Sequence, residues 1–133
     1  MTKAVRIHAY GGPEALVYED VDVPAPGPGE VRLNQTVAGV NFLDIYHRAG
    51  THFANLTPPA IPGVEAVGIV ESVGEGVTHL KAGDKAAYPL TAGGYAETRL
   101  VPGSDVVKVP EGIDDTVLAA TFMKGLTVGH LLN

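Results

Sequence analysis

The segment VRLNQTV, Val31 to Val37, alternates from one residue to the next. Val31, Leu33 and Gln35 share one face, and Arg32, Asn34 and Thr36 share the other, the period-two pattern of a strand with one side buried. Comparable runs predict strands over Ala4 to His8, Leu16 to Asp22, Glu30 to Val40, Glu65 to Val73, Asp84 to Tyr88, Tyr95 to Val101 and Val106 to Val109. Between the second and third lies VPAPGPGE, Val23 to Glu30, whose three prolines lack the N–H that a ladder needs. It reads as a stiff surface connection.

Two stretches carry helical signals. Asn41 is placed to cap a helix over Phe42 to Ala49, with Gly50 as its stop, and Asp114 to cap one over Asp115 to Lys124. Val117, Leu118 and Phe122 give the second helix its core spacing; Gly125 interrupts it, and the pattern resumes over Leu126 to Leu132. Seventeen glycines and ten prolines fall between the short β-type runs rather than in one linker, which is how an all-β domain is punctuated. The fold class read from this pattern is mainly β with a few short helices, in one domain over residues 1–133.

The stretch PGVEAVGIVESVGEGV, Pro62 to Val77, raises the question of a nucleotide site. A dinucleotide fingerprint needs G-x-G-x-x-G between a strand and a helix, so that backbone and helix N-terminus both meet the pyrophosphate. Gly74-Glu75-Gly76-Val77-Thr78-His79 has His79 in the third position, and HLKAGDKAAY, which follows, is another β-type run. The glycines predict a turn between strands.

Charge and composition remove several classes. The net charge is −6, and the nine Lys and Arg are scattered singly, so no basic stripe is present for nucleic acid. There are no cysteines, which excludes disulfides, thiolate catalysis and cysteine-held zinc. The five histidines, at 8, 47, 52, 79 and 130, form no H-x-x-x-H pair, and His47 and His52, astride the helix end at Gly50, read as surface residues. No apolar run has the ~20 residues of a membrane span, and the N-terminus opens on alternating residues, which points to a cytoplasmic protein with no membrane partner.

Several motifs occurring in order carry a family resemblance: AGVNFLDIYHRAG, the Pro62–Tyr88 stretch, GGYAETRLVPGSDVVKVPEGI and FMKGLTVGHLL. Together they resemble the N-terminal part of the medium-chain dehydrogenase/reductase superfamily, and within it the NADPH:quinone oxidoreductases of the zeta-crystallin-like branch. The resemblance implies a GroES-like, partly open β-barrel on the substrate side of a cleft. It implies a Rossmann domain beyond the present C-terminus, a sequence that is therefore an N-terminal fragment inactive by itself, and a homodimer for the complete protein. The zinc-dependent relatives carry a motif similar to G-H-E-x-x-G, where this chain has Gly63-Val64-Glu65-Ala66-Val67-Gly68, and their upstream ligand Cys aligns with Asn41. Neither valine nor a carboxamide supplies the nitrogen or sulfur that zinc prefers, so no metal is expected.

The same resemblance sets the stretch Asn41, Phe42, Leu43, Asp44, Ile45 and Tyr46 against the nicotinamide end of NADPH. Asn41 and Tyr46 become candidates to donate hydrogen bonds to an oxygen gaining negative charge, and Thr127 lies near the nicotinamide carboxamide. Read from the residues alone, Asn41 is a helix cap with Asp44 favouring the first-turn dipole, Thr127 an ordinary helix residue, and Lys124 a solvated charge. Arg48 suits a helix C-terminus or a clamp for an anion. Glu65 is expected to be a structural carboxylate held by a backbone N–H or an arginine, and Tyr95 to start a strand after the Gly93-Gly94 turn. The function implied is hydride transfer from NADPH to a quinone or another electron-poor acceptor. The alternatives are an enone reductase or other zinc-free alcohol dehydrogenase relative, and a non-catalytic GroES-like binding module.

Overall fold

The computed structural model describes residues 1–51 and 56–132. Among these residues seven strands form: β1 (Thr2–Ile7), β2 (Leu16–Val21), β3 (Glu30–Gly39), β4 (Glu65–Val73), β5 (Lys85–Tyr88), β6 (Thr98–Pro102) and β7 (Val107–Lys108). They are accompanied by two helices, α1 (Phe42–Ala49) and α2 (Asp115–Leu132). β1 and β2 make a small antiparallel sheet, and the rest make an antiparallel sheet in the order β6-β3-β4-β5-β7. The larger sheet is open, with β6 and β7 as its edges, in keeping with the mainly β, GroES-like expectation.

β3 organises the sheet, pairing with β4 on one side and β6 on the other. Its register against β4 slips at Arg32/Leu33 and again at Gln35/Val37, irregularities of the kind that increase local twist and let a sheet curl. Val31 and Leu33 are buried as their alternation predicts. Gln35 follows them inward because it is satisfied there: its Oε1 accepts from the Tyr88 hydroxyl and its Nε2 donates to the Ala96 carbonyl. Arg99 lies over the Tyr88 ring at 5.0 Å and donates to the Thr91 carbonyl at 3.0 Å.

β4 is buried on both faces at its start. Ala66 and Val70 join Val31, Leu33, Leu80, Ala86, Tyr88, Val101 and Val106 in one core. Val67 points the other way, into a second cluster with Ala87, Val109 and Ala119, against which Leu118 and Phe122 of α2 pack. α2 therefore lies against the outer face of β3 and β4, and the apolar run of β4 follows from having neighbours on both sides.

Three details depart from the sequence reading. α2 runs unbroken through Gly125, where the backbone stays helical and open space surrounds the Cα. Tyr95 does not start β6; the N–H groups of Gly93, Gly94 and Tyr95 donate to the carbonyls of Gly63 and Pro62, and the backbone of 95–97 then bonds β1, with Ala96 bridged to Ala4, before β6 begins at Thr98. His47 is buried, being only 7% exposed, because it lies on the inner face of α1. The other member of that pair, His52, lies outside the described residues. The Gly74–Val77 stretch is a turn between β4 and β5 as expected, with Gly76 in the left-handed region at φ 86° and the Val77 N–H on the Gly74 carbonyl.

Candidate functional site

α1 follows β3 after two residues, Val40 and Asn41. Asn41 stands at the N-cap with φ −132° and ψ 154°, and its backbone N–H donates to Asp44 Oδ2 at 2.8 Å. Gly50 ends the helix in the left-handed conformation, φ 68°, where a Cβ would overlap the ring of Tyr10. These ends fall where the sequence places them. The faces of the helix are less ordinary.

The polar residues Asp44 and His47, three apart, point inward and are buried. Phe42, Ile45 and Tyr46, at i, i+3 and i+4, point outward and are 77%, 41% and 39% exposed. An amphipathic helix on a globular protein buries the apolar stripe; α1 is inverted. With Val40, also exposed, it sets four large apolar side chains on one short piece of surface, the kind of patch that marks a binding site. Leu43 is half-buried between the two faces.

What holds the inverted helix in place is polar. Asp44 Oδ2 also accepts the Tyr95 hydroxyl at 2.7 Å, tying α1 to the loop before β6. Burial, reinforced by the Asp44 carboxylate, pushes the Tyr95 phenol far above its usual range and keeps it a donor. Asp44 Oδ1 and His47 Nδ1 are buried with no hydrogen-bond partner among the described residues. Arg48 donates to the Gly11 carbonyl at 3.3 Å, which assigns it to the protein's own backbone.

The Asn41 side chain faces β4 and α2. Its Nδ2 donates to Glu65 Oε1 at 2.8 Å, and its Oδ1 accepts from Lys124 Nζ at 3.1 Å. Lys124 also reaches Glu65 Oε1 at 2.9 Å, and the Met123 N–H donates to Glu65 Oε2 at 3.1 Å. Glu65 itself is 1% exposed. This arrangement fixes the amide: turned over, it would set its oxygen against a carboxylate and its NH2 against an ammonium.

One expectation is corrected here and a second extended. Lys124 is not a free solvated charge but half of an ion pair with a buried partner, because a carboxylate between Val64 and Ala66 in an apolar strand requires a counter-charge. Asn41 is the N-cap as expected, in a capping box with Asp44, but its side chain is more than a cap, reaching Glu65 and Lys124 as well. Glu65 is held by a backbone N–H as anticipated, with lysine in place of arginine. The room for it comes from Gly39, its cross-strand partner, where a Cβ would overlap the carboxylate.

Thr127 lies on the exposed part of α2, one turn beyond Lys124, with its hydroxyl donating to the Met123 carbonyl at 3.1 Å. The structure thus brings Asn41 together with Glu65 and Lys124 and sets Phe42, Ile45 and Tyr46 on the adjoining face; Thr127 is separated from Asn41 by the Lys124 turn. Val64, in the position that the resemblance gives to the metal-binding histidine of the zinc-dependent relatives, is fully buried. Among the described residues no three His, Asp or Glu are grouped to hold a metal ion, and no helix is long and apolar enough to cross a membrane. A concavity of about 640 Å³ lies away from α1, between β2 and β6, with Arg6, Val23, Ala60 and Arg99 in its wall.

The pairing of Lys124 with Glu65 is the contact least visible in the sequence. Its signal was indirect: Glu65 in an apolar run demanded a cation, and few were available.

Comparison with known proteins agrees with the fold. Residues 27–111 match the alcohol dehydrogenase GroES-like domain. The chain is 44% identical to a 2-haloacrylate reductase from a Burkholderia species, over all of this chain and 41% of that protein. Among solved structures, the quinone oxidoreductase of Pseudomonas syringae pv. tomato superposes with a TM-score of 0.94 at 39% identity, covering 100% of this chain and 41% of that one. The Escherichia coli quinone oxidoreductase complexed with NADPH gives 0.92 at 35% identity, covering 98% and 40%. The chain thus spans about two fifths of the length of the relatives it matches.

Proposed function

We propose, from the premise that this chain belongs to the alcohol dehydrogenase GroES-like family of the medium-chain dehydrogenase/reductase superfamily, in its quinone oxidoreductase branch, that residues 1–133 form the substrate-side domain of a zinc-independent NADPH:quinone oxidoreductase. The observation that carries this reading is the inverted face of α1: Phe42, Ile45 and Tyr46 turned outward beside the amide of Asn41. A flat, apolar ring bearing an oxygen suits such a face. The exposed side chains cover the ring, and a fixed donor meets the oxygen.

NADPH, when bound, supplies the hydride. The chain's part is to align and to stabilise. Asn41 keeps one Nδ2–H beyond the bond to Glu65, and that donor serves an oxygen gaining negative charge. Phe42, Leu43, Ile45 and Tyr46 offer apolar surface to the planar rings, with the Tyr46 hydroxyl as a second donor, and Asp44 holds the helix rather than the ligand. The Thr127 hydroxyl, already donating to Met123, retains lone pairs that can accept from the nicotinamide carboxamide. With Val64 and Asn41 in the two ligand positions the donor set does not suit zinc, so electron-poor acceptors are favoured over saturated alcohols.

A second reading rests on the similarity to a 2-haloacrylate reductase, in which the acceptor is an activated alkene. The experiment is to supply the whole protein with NADPH and, in turn, a benzoquinone and a 2-haloacrylate, following loss of NADPH absorbance, and separately with NADP+ and a saturated alcohol, following its gain. Turnover with the quinone is expected; turnover only with the haloacrylate favours the second reading, and turnover with neither overturns both. The same reading places the protein in the cytoplasm as a homodimer, to be checked by cell fractionation and sedimentation.

A further inference from the structure

The Lys124 ammonium has three N–H groups, of which one meets Glu65 Oε1 at 2.9 Å and one Asn41 Oδ1 at 3.1 Å. The third has no partner among the described residues. The side chain is 51% exposed, whereas Glu65 beneath it is 1% exposed. The buried carboxylate and the amide oxygen therefore fix the cation from below and leave one side of it open. The unused Nδ2–H of Asn41 belongs to the same small cluster, because that amide bonds both other members. A lone surface lysine samples many rotamers; this one is held by two acceptors before any ligand arrives, so little conformational entropy is left to lose on binding.

We propose that Lys124 and Asn41 form a preorganised oxyanion site, in which the Lys124 ammonium binds the anionic oxygen of a ligand whose apolar part lies on Phe42, Ile45 and Tyr46. Glu65 is the positioning residue that holds the ammonium in place. The inference rests on the proposed reading of this face and adds the class of ligand it takes. Two sources share the chemistry: the phenolate-type oxygen of a reduced quinone and the carboxylate of a small organic acid. Charge-assisted hydrogen bonds are the strong ones, and a cation held ready for a developing anion needs no reorganisation when charge appears.

The test uses the whole protein and two probes, 4-nitrophenolate and 2-chloropropanoate, with binding followed by calorimetry and, for the first, by the absorbance of the bound phenolate. Lys124→Met is expected to weaken at least one probe about tenfold or more, and Lys124→Arg to keep it within about threefold. Bound nitrophenol should ionise at a lower pH than the free probe in the parent protein, and this difference should vanish with Lys124→Met. Because removing the lysine strands a buried carboxylate, the double variant Glu65→Gln, Lys124→Met serves as a folded control that still lacks the cation. Which probe responds separates the phenolate from the carboxylate source. Binding of both probes by the double variant as tightly as by the parent overturns the proposal, as does failure of the parent to bind either. Loss of quinone turnover with intact, Lys124-dependent probe binding would instead remove the functional reading and leave this site standing.

Discussion

The side-chain amide of Asn41 donates to the carboxylate of Glu65 at 2.8 Å, and through that bond the first turn of α1 is attached to the first residue of β4. Lys124 and the Met123 N–H close on the same carboxylate from α2. Three elements distant in sequence thus converge on one buried charge. Truncation by Glu65→Ala leaves an ammonium, an amide and a backbone N–H without their acceptor. Breaking a buried ion pair costs about 3 kcal/mol, the lower end of the usual range being apt because Lys124 is half-exposed. Urea denaturation should show that loss as a lower midpoint with an unchanged slope.

Phe42 is the opposite case. Its ring is 77% exposed and supports nothing in the core, so Phe42→Ser should change stability by no more than about 0.5 kcal/mol. If its face receives a planar acceptor, the Michaelis constant for that acceptor rises about tenfold, the equivalent of roughly 1.4 kcal/mol of lost aromatic contact. Thermal melting and steady-state kinetics on the same preparation separate the two quantities.

Tyr95 makes the protein sensitive to alkali. Its folded-state phenol is raised well above the unfolded value near 10, so the stabilisation is complete below about pH 10 and is lost as pH climbs from there toward the folded value. Tyr88, raised by its own burial, acts in the same direction. A spectrophotometric titration should therefore show tyrosines ionising late and together with unfolding, and Tyr95→Phe should remove part of that dependence.

Asp84 acts at the other end of the scale. Hydrogen bonds from Lys108 at 2.8 Å and Lys81 at 3.0 Å hold its carboxyl far below the usual carboxylate range. A depressed folded-state value gives stability that is present above the unfolded value near 4 and lost as pH falls below it. Acid unfolding of Asp84→Asn should accordingly be less steep below about pH 4 than that of the parent protein.

Most of the fold was legible because it rests on local signals. The alternation of Val31, Leu33 and Gln35, the prolines of the 23–30 segment, and Asn41 and Gly50 at the ends of α1 each act over a few residues, and each marks a boundary close to the one observed. Legibility fails where a distant residue decides. His47 looked like surface until α1 was seen to turn its polar side inward, a choice made by Tyr95 on Asp44, 51 positions away. Lys124 looked solvated because its partner is 59 positions back.

Gly125 misled for a different reason: glycine weakens a helix without forbidding it, and packing of Leu118 and Phe122 anchors α2 upstream. The position is open on every side, so Gly125→Ala should stabilise the protein by about 0.5 to 1 kcal/mol, visible as a raised melting temperature.

The pairing of Gly39 with Glu65 constrains the order in which this site can change. No larger residue enters position 39 while the carboxylate stands opposite, and if the carboxylate goes first the lysine at 124 loses its anchor. Positions 39, 65 and 124 therefore behave as a combination lock: a lineage leaving this arrangement must turn them in sequence, passing through at least one less stable intermediate on the way.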